Sequence, residues 1–184
     1  MNKYIYKLNI PINIEEIKRI TRGDIYKVFD AAHQHHRQIN NHPYLVELKN
    51  KYPIMGDTYN LYRLINRNDL EPHTDSDRNC AVNIPVSNTE NSHTVFYSST
   101  RTDNTQYHQR RIYDEFVPSE LQEEFRFTLL EPTIINTKQI HGVINSGPDN
   151  RISVYRIIFS WSVLPQYSFE DAVEFFTQYP HGVV

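Results

Sequence analysis

An antiparallel β sandwich or barrel with a few flanking helices is the fold class this sequence predicts, and three observations predict it. From Thr58 onward the segments TYNLYRLI, NCAVNIPV, HTVFYSS, FRFTLLE, TIINT, HGVIN and RISVYRIIFSW follow one another, each short and bounded by polar turns. Thirteen tyrosines and nine phenylalanines against five glycines favour packed sheets over a helical bundle. Helical crossovers between the segments are missing, so parallel βαβ units have no sequence to make them. A length of 184 residues suits one hydrophobic core, and the expectation is a single domain over residues 1–184 with its β region at about 58–162.

In chain order, residues 4–9 alternate and are followed by Pro11, which suits a short edge strand. Ile25, Val28, Phe29, Ala32, His36 and Ile39 then recur at helical spacing behind Asp24 as a cap, predicting a helix over 24–39. A shorter helix is expected from Tyr44 to Lys51, stopped by Pro53. At the C-terminus SFEDAVEFF reads as a helix capped by Ser168, with Asp171 three residues on and Phe169, Ala172, Val173 and Phe176 as its buried face. The long polar connection from Ser99 to Pro118 is the candidate substrate lid, carrying specificity through Arg101, Tyr107, Arg110 and Arg111.

Composition excludes several function classes. A net charge of −3 with scattered basic residues leaves no electrostatic footprint for nucleic acid. No apolar run approaches the length of a membrane span. The single cysteine, Cys80, excludes an internal disulfide and reads as a small buried apolar side chain. These features together predict a soluble, cytoplasmic protein. The HQHH run at residues 33–36 lies in the predicted helix and reads as a solvated face.

The stretch EPHTDSDRN sets His73 and Asp75 two positions apart just after a proline. In an extended chain the two side chains project to the same side, able either to hold a metal ion or to form a hydrogen-bonded surface pair. Well downstream, in IINTKQIHGVINSGPDNRISVYRI, His141 opens a strand, SGPDN makes a turn, and Arg151 begins the next strand with Ser153 on the same face. Two histidines and one carboxylate leave coordination positions open, the arrangement non-haem Fe(II) uses; a structural zinc site would close its shell with four protein ligands. Arg151 supplies a planar cationic fork suited to a carboxylate, with the Ser153 hydroxyl beside it.

HTD, the distal NTKQIHGVIN and RIS ten residues after the second histidine together resemble the Fe(II)/2-oxoglutarate-dependent oxygenase superfamily. The nearest types are its prolyl-hydroxylase-like and aspartyl/asparaginyl-hydroxylase-like members, including small phage and bacterial proteins. The resemblance covers roughly residues 58–162. It implies a double-stranded β-helix, or cupin-like jelly roll, with helices on its outer face. It also implies that His73, Asp75 and His141 bind Fe(II), that Arg151 and Ser153 hold the distal carboxylate of 2-oxoglutarate, and that O2 is consumed as succinate and CO2 are released.

Because Asp75 keeps its carboxylate, where halogenating relatives have a small residue, the implied outcome is hydroxylation. The implied substrate is an amino-acid side chain, in a small molecule or in a peptide or protein. Tyr62 stands where such enzymes often contact 2-oxoglutarate, with plain barrel packing as the other reading. Asn83 points either inward toward the cosubstrate or outward to solvent. Two further readings are a catalytically silent cupin-like binding module and a cosubstrate-independent cupin dioxygenase.

Overall fold

The structure is a computed structural model that describes residues 2–25, 32–65, 69–99, 121–145 and 155–183. Its elements, in chain order, are β1 (Ile5–Lys7), α1 (Ile14–Ile25), β2 (Ala32–Gln38), α2 (Pro43–Lys51), β3 (Met55–Ile65), β4 (Leu70–His73) and β5 (Cys80–Ser87). There follow β6 (Ser92–Ser99), β7 (Leu121–Phe127), β8 (Thr133–Asn136), β9 (Ile140–Asn145), β10 (Tyr155–Val163) and α3 (Phe169–Gln178). The described chain is mainly β. A six-stranded antiparallel sheet runs in the order β1-β8-β5-β10-β3-β2, and a four-stranded one in the order β4-β9-β6-β7.

Alternation along the central strands gives the larger sheet two different faces. Tyr59 and Leu61 of β3, Val82, Ile84 and Val86 of β5, and Ile157, Phe159, Trp161 and Val163 of β10 form one apolar layer. It packs against Ile17, Leu45, Leu48, Phe169, Val173 and Phe176 of the three helices. Each large apolar side chain so buried stabilises by about 1.5–3 kcal/mol. The other face of the same strands carries Asn60, Tyr62, Asn83, Arg156, Ser160 and Ser162 and looks toward the smaller sheet. A second apolar cluster of Tyr4, Ile5, Ala81, Phe96 and Ile135 closes one side of that inter-sheet space.

Two helices lie where the sequence puts them. Pro43 starts α2 with its fixed φ. The Ser168 hydroxyl accepts from Asp171 N at 3.1 Å while Ser168 N donates to Asp171 Oδ2 at 2.8 Å, a reciprocal cap that starts α3.

Of the expected helix over 24–39, residues 26–31 lie outside the described residues, Asp24 and Ile25 end α1, and Ala32–Gln38 is not helix but strand β2, which pairs antiparallel with β3 from Ala32↔Leu64 to Gln38↔Thr58. The free backbone edge of β3 explains the difference, since pairing along its length satisfies more buried N–H and C=O groups than a solvent-facing helix would. The HQHH run is therefore strand, not the helical face expected. The helix α1 has its own start signal in the Asn13 Oδ1 that accepts from Glu16 N at 3.1 Å. Among the described residues no helix is long and apolar enough to cross a membrane. The proposed lid beyond Ser99, with Arg101, Tyr107, Arg110 and Arg111, lies outside the described residues.

Candidate metal centre

Strands β4 and β9 of the smaller sheet pair so that His73 stands directly opposite His141. The approach depends on Gly142. A Cβ there would sit 2.6 Å from Leu70 O and 3.2 Å from Pro72 N, both backbone atoms of or beside β4 that have little room to move. Gly142→Ala is therefore expected to push β4 off β9, to lower stability by about 1–3 kcal/mol as overpacking does, and to weaken metal binding by separating the histidines. Chemical denaturation together with Co(II) titration checks both effects.

His73, Asp75 and His141 each turn one ligand atom to a common point, with those atoms all within 4.8 Å of one another. The His73 and His141 ring centroids are 4.5 Å apart, and Asp75 Oδ1 is 3.6 Å from His73 Nε2. Metal–ligand bonds of about 2.0–2.2 Å need donors roughly 3–4 Å apart, so side-chain rotations of about an ångström close the set.

The tautomers already suit an ion. His73 Nδ1–H donates to Glu71 O at 2.8 Å and His141 Nδ1–H to Gln139 O at 2.9 Å, which leaves both Nε2 lone pairs facing the common point. Asp75 is tied separately, its Oδ2 accepting from Arg78 Nε at 2.6 Å. Burial works against ionising this carboxyl, but the Arg78 guanidinium, together with His141 and His73, outweighs it and holds the pKa below the ordinary carboxylate value.

Burial, joined by the neighbouring His73, lowers the His141 pKa from 6.5 to about 4. The folded chain therefore refuses a proton that the unfolded chain accepts. His141's contribution is fully present above pH 6.5 and is lost as the pH falls toward 4. At 1.36 kcal/mol per pH unit, metal-free protein is expected to lose about 2 kcal/mol between pH 7 and pH 5. Urea titrations at the two pH values measure it, and a His141→Asn variant should show a flatter dependence.

Two arginines that sequence reasoning did not select enter the space between the sheets. Arg78 is almost fully buried, and its fork reaches Tyr62 Oη, Ser160 Oγ and Ser162 Oγ besides Asp75. Burial alone would depress its pKa, but Tyr62 and Asp75 more than reverse this and raise it. Arg156 crosses from β10 to β6, where its Nε donates to Ser92 Oγ at 2.8 Å. Burial, acting without any opposing carboxylate among the described residues, lowers its pKa to about 10, so it remains a cation at neutral pH. One arginine is neutralised and hydrogen-bonded within the fold; the other is a buried charge with no anion beside it among the described residues. The signal for Arg156 was in the sequence, because the apolar Ile157, Phe159, Trp161 and Val163 claim alternate positions of β10 and put Arg156, Ser160 and Ser162 on the opposite face.

The remaining expected site residues divide as follows. Tyr62 accepts from Arg78 Nη2 at 3.0 Å, which leaves its own hydroxyl proton free to donate. Asn83 faces inward, opposite Ser160 and Thr133, and its buried Oδ1 has no hydrogen-bond partner among the described residues. Arg151 and Ser153 lie outside the described residues. Cys80 is buried with its thiol pKa pushed up to about 12 by that burial, an inert packing residue.

No family model and no curated protein sequence matches the chain. Solved structures do resemble it in shape. HygX from Streptomyces hygroscopicus, crystallised with nickel and 2-oxoglutarate, superposes with a TM-score of 0.52 at 8% identity, over 90% of this chain and 84% of that one. The non-haem α-ketoglutarate-dependent carbocyclase SnoK from nogalamycin biosynthesis gives 0.59 at 8% identity, over 92% and 84%. The epimerase SnoN, in complex with Fe3+, α-ketoglutarate and nogalamycin RO, gives 0.50 at 10%, over 89% and 79%. At such identities the likeness is one of fold, and it is a fold that in HygX and SnoN holds a metal beside a 2-oxo diacid.

Proposed function

We propose that the chain is an Fe(II)- and 2-oxoglutarate-dependent oxygenase, a single domain with a double-stranded β-helix at its centre. The strand path supports the architecture: β3, β4, β5 and β6 alternate between the sheets, as do β8, β9 and β10 after the hairpin mate β7. The observation that carries the function is the convergence of two Nε2 atoms and one carboxylate oxygen, with both Nδ1 atoms already engaged by carbonyls. Three protein ligands on one side of an ion leave room for a chelating cosubstrate and O2.

When bound, iron and 2-oxoglutarate supply the oxidising chemistry, with succinate and CO2 released. The chain's own residues bind, orient and shield. His73, Asp75 and His141 hold the ion. Arg156 and Tyr62 line the inter-sheet space with one cation and one hydroxyl donor, a pair matched to the distal carboxylate of a diacid, and Asn83 stands beside them with its Oδ1 open to accept from a protein or ligand donor. Arg151 and Ser153, carried by the R-x-S motif, are the alternative holders of that carboxylate. The aromatic wall of Phe96, Phe125 and Phe127 keeps water from one side of the site.

Arg156 also weighs against a silent binding module and against a cupin dioxygenase that uses no cosubstrate, since neither gives a task to a buried cation that has no carboxylate partner among the described residues. From the HTD resemblance we infer hydroxylation of an amino-acid side chain, in a small molecule or a peptide, by a cytoplasmic enzyme that engages neither nucleic acid nor membrane. A succinate-release screen with Fe(II) and 2-oxoglutarate over amino acids and peptides tests this reading. Turnover needing iron but not 2-oxoglutarate would replace it with the cupin reading, and failure to bind Fe(II) or Co(II) would leave only the binding module.

A further inference from the structure

We propose that Arg78 is a positioning residue that makes Asp75 a one-oxygen ligand and so keeps a coordination position free for the cosubstrate. The inference rests on the oxygenase reading and deepens it. The two oxygens of Asp75 are already divided. Oδ2 is held by Arg78 Nε at 2.6 Å, while Oδ1 lies 3.6 Å from His73 Nε2 on the side where the ligand atoms converge. A carboxylate with both oxygens free beside a cation readily binds through both, and each extra oxygen occupies a position that a chelating diacid or O2 needs.

The guanidinium is fixed from three further directions. Nη1 donates to Ser160 Oγ at 3.1 Å and Ser162 Oγ at 3.4 Å on β10, and Nη2 to Tyr62 Oη at 3.0 Å on β3. Its planar fork serves four acceptors at once, which the single ammonium of a lysine cannot match. The backbone around it is pinned as well. Thr137 Oγ1 donates to Arg78 O at 2.9 Å, Asp75 N donates to Thr137 O at 2.9 Å, and Lys138 Nζ donates to Asp75 O at 2.9 Å. The turn at 137–139 also supplies Gln139 O to His141, so one short segment sets the orientation of two metal ligands.

The test uses Co(II) as the probe metal in the full chain, with its visible d–d spectrum as a report on ligand number. In Arg78→Gln the freed Oδ2 joins the metal. The Co(II) spectrum then shifts before any cosubstrate is added, and 2-oxoglutarate affinity falls about 10- to 100-fold, the range typical of lost outer-shell partners, while Co(II) affinity falls less. Arg78→Lys keeps the charge without the fork and is expected to behave like Arg78→Gln; full rescue by lysine overturns the geometric argument. An unchanged spectrum, with metal and cosubstrate affinity either intact or lost in parallel, also overturns it. Should the Arg78 variants fail to fold, Ser160→Ala combined with Ser162→Ala frees Nη1 and is expected to shift the spectrum to a smaller extent. Absence of that shift counts against the proposal. A wild-type chain that binds Co(II) but not 2-oxoglutarate refutes the oxygenase reading itself, an outcome distinct from all of these.

Discussion

Alanine at His73, Asp75 or His141 is expected to lower Fe(II) affinity by at least about 100-fold in each case, with the fold retained. Loss of an outer-shell partner alone typically costs 10- to 100-fold, and deletion of a direct ligand removes more. The three side chains face the inter-sheet space rather than the helix-packed core, so their removal leaves the main apolar cluster intact. His141→Ala empties the most buried of the three positions and orphans Gln139 O, and it should be the least stable variant. Anaerobic calorimetric titration, paired with far-UV dichroism to follow the fold, measures this. Wild-type affinity in any one variant removes that residue from the centre.

Conservative replacement of Arg156 is expected to be the next largest effect. Arg156→Lys keeps a cation between the sheets but loses the paired N–H donors, a change of about 1.5–3 kcal/mol for a charge-assisted interaction, or roughly 10- to 150-fold in affinity. The loss should fall on 2-oxoglutarate and leave Co(II) affinity nearly unchanged, since Arg156 contacts Ser92 and no metal ligand is among its described partners. Arg151→Lys is the companion experiment. A loss there with Arg156→Lys silent would return the carboxylate to the arginine of the R-x-S motif. If both variants bind 2-oxoglutarate normally, the distal carboxylate is held elsewhere.

What the sequence disclosed and what it withheld follow a physical division. Most strands after Thr58 and the Ser168 cap are written in local patterns, period-two alternation and a reciprocal turn of hydrogen bonds, and were legible, whereas β4 was not among the expected segments and FRFTLLE overlaps only the end of β7. His73 and Asp75 were legible as a pair for the same reason, since spacing of two is a local property. The β2 strand was not, because its conformation is decided by the open edge of β3 and not by its own residues, while Ala32, His36 and Ile39 fall at helical spacing in the sequence. The start of α1 was available in Asn13 and Glu16 and was masked by that stronger pattern. Arg78 was missed because its significance lies in a contact more than sixty residues away, to Ser160, which no spacing along the chain reports; for Arg156 the alternation of β10 shows the face, and only its partner Ser92, also more than sixty residues away, is hidden.

The two-faced character of β10 bears on how such a protein can diverge. Its odd positions from Ile157 to Val163 anchor the helices, and its even positions from Arg156 to Ser162 furnish the chamber between the sheets. Mutations on the two sides are therefore filtered by different demands, one for folding and one for what the chamber receives. Substitutions at Ile158, Asn60 or Asn83 alter the face between the sheets while the helix-facing layer stays constant. Chains that share almost no sequence can in this way still share a fold, as this chain does with HygX and SnoK at 8% identity.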